Sequence, residues 1–311
     1  MPHVPYLLTE SYYRETFSKT FNPYISHAFV AHNAGKVEAL LHLANTEKKP
    51  DIGVVFGVRN NQLITPFSAP FGGLHYRHEL VYSSEVDTFV AAIKDYFEQS
   101  AYSHLSITLP PGIYSRNMNA KAISAFFRRG YTMKAADATN YIPLAALGEK
   151  FSERTARDYY VQAVKFGLQF RNVTAPQDLE SVYEIIKDNR ARMGRPIFMT
   201  LSDIRAMEKI WPVDYFLVQD ATGQAVAAAI FYRAHATIAQ AVLWGDSEAG
   251  RPLRAMDFMI WELCNTYRNM SYDYIDLGIS TENSVPNTHL LRFKESHESA
   301  TDIRFTFSLS K

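Results

Sequence analysis

The sequence predicts a mixed α/β chain made of two tandem domains. Three observations lead there. A length of 311 residues exceeds one ordinary core and favours two. Apolar residues at 47% against 21% charged give a globular composition with material for both cores. The same order of patterned segments, a strand meander followed by helix, strand, helix and strand, occurs twice.

In the first half, Lys36–Ala44, Gly53–Val58 and Gln62–Thr65 are short β-branched and aliphatic runs separated by turn residues, which reads as an antiparallel meander. Ser84–Gln99 places Val86, Phe89, Val90, Ile93 and Phe97 at helical spacing. Ser103–Leu109 is a strand stopped by Pro110 and Pro111. Ala120–Arg129 is a helix with Gly130 as its C-terminal cap, and Ala138–Pro143 is a last strand.

The second half begins with an amphipathic linking helix over residues 151–165, whose Tyr159, Tyr160 and Val164 form an apolar face. Gln177–Met193 and Leu201–Ile210 are helices, the second capped by Thr200 or Ser202. Tyr215–Gln219, Ala225–Tyr232 and Ala236–Trp244 form the second meander. Helix Ala255–Tyr267, strand Tyr274–Leu277, helix Thr288–Lys294 and strand Asp302–Leu309 complete it. The expected domains are 1–146 and 147–311, each a mostly antiparallel meander with helices on both faces.

Composition removes several function classes. Thirty-two basic and 32 acidic residues cancel, so no net field draws the chain to double-stranded nucleic acid. One cysteine, Cys264, excludes an internal disulfide framework. No stretch approaches the roughly 20 apolar residues that span a bilayer, and Met1–Glu10 lacks a secretory pattern, so the expected address is cytoplasmic. The ten histidines do not cluster at metal-ligand spacing, and no metal site is expected.

The segment order resembles the GNAT acyltransferase fold, and two such halves joined by a helix resemble the FemABX-like bacterial transferases. Three stretches carry the resemblance. Ser68–Gly73 is similar to a loop of the family's N-terminal half. Arg154, Arg157, Ala163 and Lys165–Phe170 resemble its basic linking helix running into a strand. Tyr274–Lys294 is similar to its strand ending Asp-hydrophobic-Gly, followed by Asn, Leu and Lys. His289 stands where the family has Gly, and His297-Glu298 where it has an aromatic residue and Gly.

The resemblance implies transfer of an acyl group from an acyl-CoA, acetyl-CoA first, to the primary amine of a small or peptidic acceptor. It also implies an alternative, an aminoacyl-tRNA donor acting on a cell-wall precursor. A scaffold that has lost activity and kept a binding cleft is the reading from a different class. In the GNAT arrangement the carrier's pyrophosphate meets a helix N-terminus, here Gly245–Arg254, with Gly245, Gly250, Arg251 and Arg254 as candidates; the rival is an ordinary loop with two solvated arginines. Ligands gather beyond the carboxyl ends of such strands. That places Asp276, Glu282 and Lys294 as catalytic candidates, Glu282 handling protons and Asp276 more structural, with cap or solvated roles as the rivals. Phe71, Gly72, Asn287 and Arg192 are the substrate-binding candidates.

Overall fold

The computed structural model describes residues 4–195 and 197–311. Contacts divide the chain into two compact units. The first holds the chain up to Ala138 with Thr281–Val285 and Asp302–Lys311; the second holds Thr139–Ser280 and Pro286–Thr301.

In chain order the elements are β1 (Tyr6–Leu7), α1 (Glu10–Thr16), α2 (His27–Asn33), β2 (Ala39–Ala44), β3 (Ile52–Arg59), β4 (Gln62–Thr65) and β5 (His75–Tyr76). Next come α3 (Ser83–Gln99), β6 (His104–Thr108), α4 (Gly112–Arg128) and β7 (Thr132–Pro143). They are followed by α5 (Arg154–Lys165), β8 (Gln169–Asn172), α6 (Pro176–Arg192), α7 (Leu201–Ala206), β9 (Val213–Gln219), β10 (Ala225–Tyr232) and β11 (Ile238–Asp246). Last are α8 (Ala255–Asn269), β12 (Tyr274–Ile279), β13 (Thr281–Glu282), β14 (Val285–Pro286), α9 (Thr288–Ser296) and β15 (Ala300–Ser310).

The first unit is built on the order β1-β2-β3-β4-β6-β15, with β5 beside β3. The predicted meander is present: β2, β3 and β4 pair antiparallel, and β4 pairs parallel with β6. α3 buries the expected Val86, Phe89, Val90, Ile93 and Phe97 against the sheet. α1 and α2 precede the first segment read from sequence. Each has seven residues, too few for periodicity to show, and their side-chain caps, Thr9 and Ser26, mark them instead. α4 starts at Gly112, where the sequence reading begins at Ala120. The Pro110-Pro111 stop and a break at Ser115 (φ −168°, ψ 72°) hide its first turn.

The second unit runs β7-β12-β11-β10-β9-β8, with β7 contributing Thr139–Pro143. β10 is buried along most of its length, between antiparallel β9 and β11. Helix α5, capped by the Glu153 carboxylate, lays Ala156 and Ala163 into the core and stacks Tyr160 on Phe258 at 5.8 Å. Cys264 lies in this core, where burial pushes its thiol up to about 12.

The chain order differs from the unit order at the end. The sequence assigns Asp302–Leu309 to the second half. In the structure, β15 from Asp302 onward belongs to the first unit, paired antiparallel with β6 from Thr306↔Thr108 to Ser310↔His104. Phe307 is fully buried there, stacked on Phe126 at 5.1 Å. A cut at 146/147 separates this strand from the unit it completes. Among the described residues no helix is long and apolar enough to cross a membrane, and no cluster of His, Cys, Asp or Glu could hold a metal ion.

Candidate functional site

β11 and β12 run parallel, but they pair over three residues only: Ile238↔Tyr274, Ala239↔Ile275 and Gln240↔Asp276. Beyond that point β11 continues to Asp246 and β12 to Ile279 without pairing each other. β12 instead follows β7, with a register shift between Asp276 and Gly278, where Gly278 takes φ +72°. The result is a fork at the carboxyl ends of two parallel strands, the place where α/β sheets collect ligands.

Asp276 sits at the root of the fork and is buried. Its Oδ2 accepts from Gln240 Nε2 at 3.1 Å, and its Oδ1 from the Gly278 N–H at 2.8 Å. Gln240 is a polar residue inside the apolar strand Ile-Ala-Gln-Ala-Val-Leu. That interruption is the sequence signal for it, which the apolar pattern around it masks.

Lys294 is the central group. On α9 the leucines 290 and 291 are half-buried, whereas Lys294 is 1% exposed. Its Nζ donates to the carbonyls of Gly278 at 2.8 Å and Ile279 at 2.9 Å, on β12 beyond its last pair with β11. Burial is the main cause that brings this amine down from 10.5 to about 7; Asp276 opposes the change and Arg190 adds to it. A neutral amine has two N–H groups and a lone pair. Two N–H groups match the two carbonyls, so the neutral form is satisfied and its lone pair remains for a proton.

Arg190 is the second residue that the fork singles out. Leu179, Val182 and Ile186 form the buried stripe of α6, and Arg190 continues it at helical spacing. No carboxylate pairs with its guanidinium among the described residues, and burial and Arg195 both disfavour its charge. In the sequence it stands with Arg192 and Arg195 at a basic helix end, where complementing the helix dipole is the ordinary role.

The predicted pyrophosphate segment is closed on itself. Gly245 lies within β11, opposite Ala228, and Asn189 of α6 fills the space a side chain would need. The Gly250 N–H donates to Ser247 O and Oγ, both at 3.1 Å, and a Cβ at Gly250 would lie 2.3 Å from the Val226 carbonyl oxygen. Arg251 Nε lies 3.6 Å from the Asp246 carboxylate, and Arg254 stacks over Tyr159 at 3.7 Å. Asp246 and the first-turn Asp257 add negative charge at the helix start. These residues hold the loop together and leave few donors for a diphosphate.

The remaining candidates fall in several places. Arg192 donates to the Asp246 carbonyl, and Asn287 caps α9 by accepting from the Leu290 N–H at 3.3 Å. Phe71 is buried against Tyr24 and Tyr114; the Gly72 N–H and carbonyl bond Thr108 and Asn22. Glu282 is exposed and belongs to the first unit, next to a turn whose Asn283 and Ser284 both have positive φ. His297 is buried, with Nδ1 2.6 Å from the Phe293 carbonyl of α9 and Nε2 3.0 Å from Asp257 of α8, so both ring nitrogens are engaged and the second joins the two helices. His289 is exposed. The structure thus brings Asp276 and Lys294 together, with Gln240 and Arg190.

No family model matches the sequence, and no curated protein matches it. Solved structures do. FemX is similar at 10% identity over 99% of this chain and 97% of its own, with a TM-score of 0.67. L-PGS from Bacillus licheniformis shares 13% identity over 97% of this chain and 92% of its own, with a TM-score of 0.58. A tandem GNAT protein from the clavulanic acid biosynthesis pathway shares 11% identity over 99% of this chain and 97% of its own, with a TM-score of 0.50.

Proposed function

From a chain with the two-domain, GNAT-like fold of the FemABX type, we propose an acyltransferase that moves an acyl group from a thioester or ester carrier to a primary amine. The observation that carries this reading is Lys294, a buried amine that changes charge near pH 7 at the mouth of a strand fork. A general base is most effective with a pKa near the working pH.

The amine nitrogen of the acceptor attacks the acyl carbonyl carbon, and the carbon–sulfur or carbon–oxygen bond to the carrier breaks. The proton released from the attacking nitrogen passes to the Lys294 lone pair, and the departing carrier takes up a proton. Gln240 and Asp276 fix the root of the fork, and the Asp276 charge keeps the protonated lysine accessible. On the same unit as Lys294, Asn287 and Arg192 stand as acceptor contacts.

Acyl-CoA in the cytoplasm, acetyl-CoA foremost, is the first donor to test. A specific observation favours the second reading, an aminoacyl-tRNA donor: the Gly245–Arg254 segment spends its Gly250 N–H and Arg251 internally. A thermal-shift series with CoA, acetyl-CoA and longer acyl-CoAs decides between them, since a ligand at 100 times its dissociation constant adds about 2.7 kcal/mol. No shift with any of these discards acyl-CoA. Single-turnover transfer from aminoacyl-tRNA to an amine is then the assay, and full activity of Lys294→Met with the working donor refutes the role of Lys294.

A further inference from the structure

The first unit carries a second concave surface with no part in the reaction above. It lies along the outer edge of β2, is about 430 Å³ in volume, and is lined by Leu7, Leu8, Leu40, Leu41, Glu10 and Glu38 among others. Three observations say what it accepts.

The first is backbone geometry. The Asn45 N–H bonds the Ile52 carbonyl, so antiparallel alternation directs residues 43, 41 and 39 toward β3 and residues 44, 42 and 40 outward. Outward, Tyr6 faces Ala44 and the Leu8 N–H donates to His42 O at 2.9 Å. The chain then leaves into α1, and on that outer side no strand among the described residues lies beside Leu40. The second is apolar surface: Leu7 is 64% exposed on β1, and Leu40 is half-buried. The third is charge. Glu10 and Glu38 are exposed on the groove, and neither forms an ion pair among the described residues.

We propose that this groove docks an extended peptide segment bearing lysine or arginine, which adds to the outer edge of β2 as an antiparallel strand in line with β1. The backbone of Leu40 supplies the next hydrogen-bonded pair of the ladder. Leucine side chains receive the residues on one face of the added strand, and Glu10 and Glu38 receive its cations. The segment belongs to another polypeptide, because an apolar edge flanked by two like charges on each copy does not complement itself.

The probe is a fluorescein-labelled hexapeptide, Lys-Val-Lys-Val-Thr-Lys, with Glu-Val-Glu-Val-Thr-Glu as its counterpart, titrated against the full chain by anisotropy. The basic peptide binds saturably below ~1 mM, the acidic one at least about tenfold more weakly, and the Leu40 amide exchanges more slowly with the basic peptide present. The double charge reversal Glu10→Lys with Glu38→Lys inverts the preference; both side chains are exposed, and an unchanged melting curve verifies the fold. Equal binding of both peptides, no saturable binding, an unprotected Leu40 amide, or a concentration-dependent dimer broken by Leu40→Pro each overturns the proposal.

Discussion

Replacing Lys294 by methionine removes the one titration that the fork depends on. Holding the amine at about 7 rather than 10.5 corresponds to about 5 kcal/mol in favour of its neutral form. The folded value lies below the unfolded one, so between pH 7 and pH 10.5 the unfolded chain binds more protons than the native one, and stability rises with pH across that window. Integrated from pH 7 to pH 9, the gain is about 2 kcal/mol for the wild type. Lys294→Met lacks this term. It also leaves the Gly278 and Ile279 carbonyls without their donor, a loss that does not change with pH. Urea melts of both proteins at pH 7, 8 and 9 separate the two effects, because other groups titrate alike in each. Stability differences that stay constant within about 0.5 kcal/mol over this range would mean that Lys294 ionises at an ordinary pH, and the base role would fall with it.

Arg190→Gln removes a positive charge that works against the Lys294 proton, so the Lys294 titration followed by carbon NMR moves to higher pH; an unchanged midpoint uncouples the two. Gln240→Leu takes a hydrogen bond from a buried carboxylate and lowers stability by about 1.5–3 kcal/mol in denaturant melts. Gly250→Ala forces a methyl against the Val226 carbonyl and costs about 1–3 kcal/mol, measured the same way; a neutral result means the loop yields. Phe307→Ala, in the core of the first unit, costs about 3–5 kcal/mol.

Much of this architecture could be read from the chain because meander strands and amphipathic helices announce their period. α3 and the β9–β11 meander follow the hydrophobic pattern closely. What escaped has physical reasons. α1 and α2 are too short to show a period, and the partner of β15 is a question of long-range pairing that no local pattern encodes. At the site, Asp276 and Lys294 were legible as polar residues at a strand end and on a short helix. A solvated lysine is the ordinary reading of an amine on a short helix, but Lys294 follows Leu290 and Leu291 by four and three residues, on the face they share, and α9 turns that face inward. Gln240 and Arg190 act through what they face across the fork, which spacing alone does not convey.

The closing strand of the first unit has a consequence for how the protein is made. Thr306 pairs with Thr108, and 197 residues are synthesised between them. During translation, β6 emerges early and must wait with one edge bare while the whole second unit is produced. An edge strand in that condition is a template for other chains. The second unit can gather its own core meanwhile, since its residues up to Thr301 precede Asp302. Folding of the first unit is thereby timed by completion of the second, and a ribosome that stops before Asp302 releases a chain with one finished body and one open sheet.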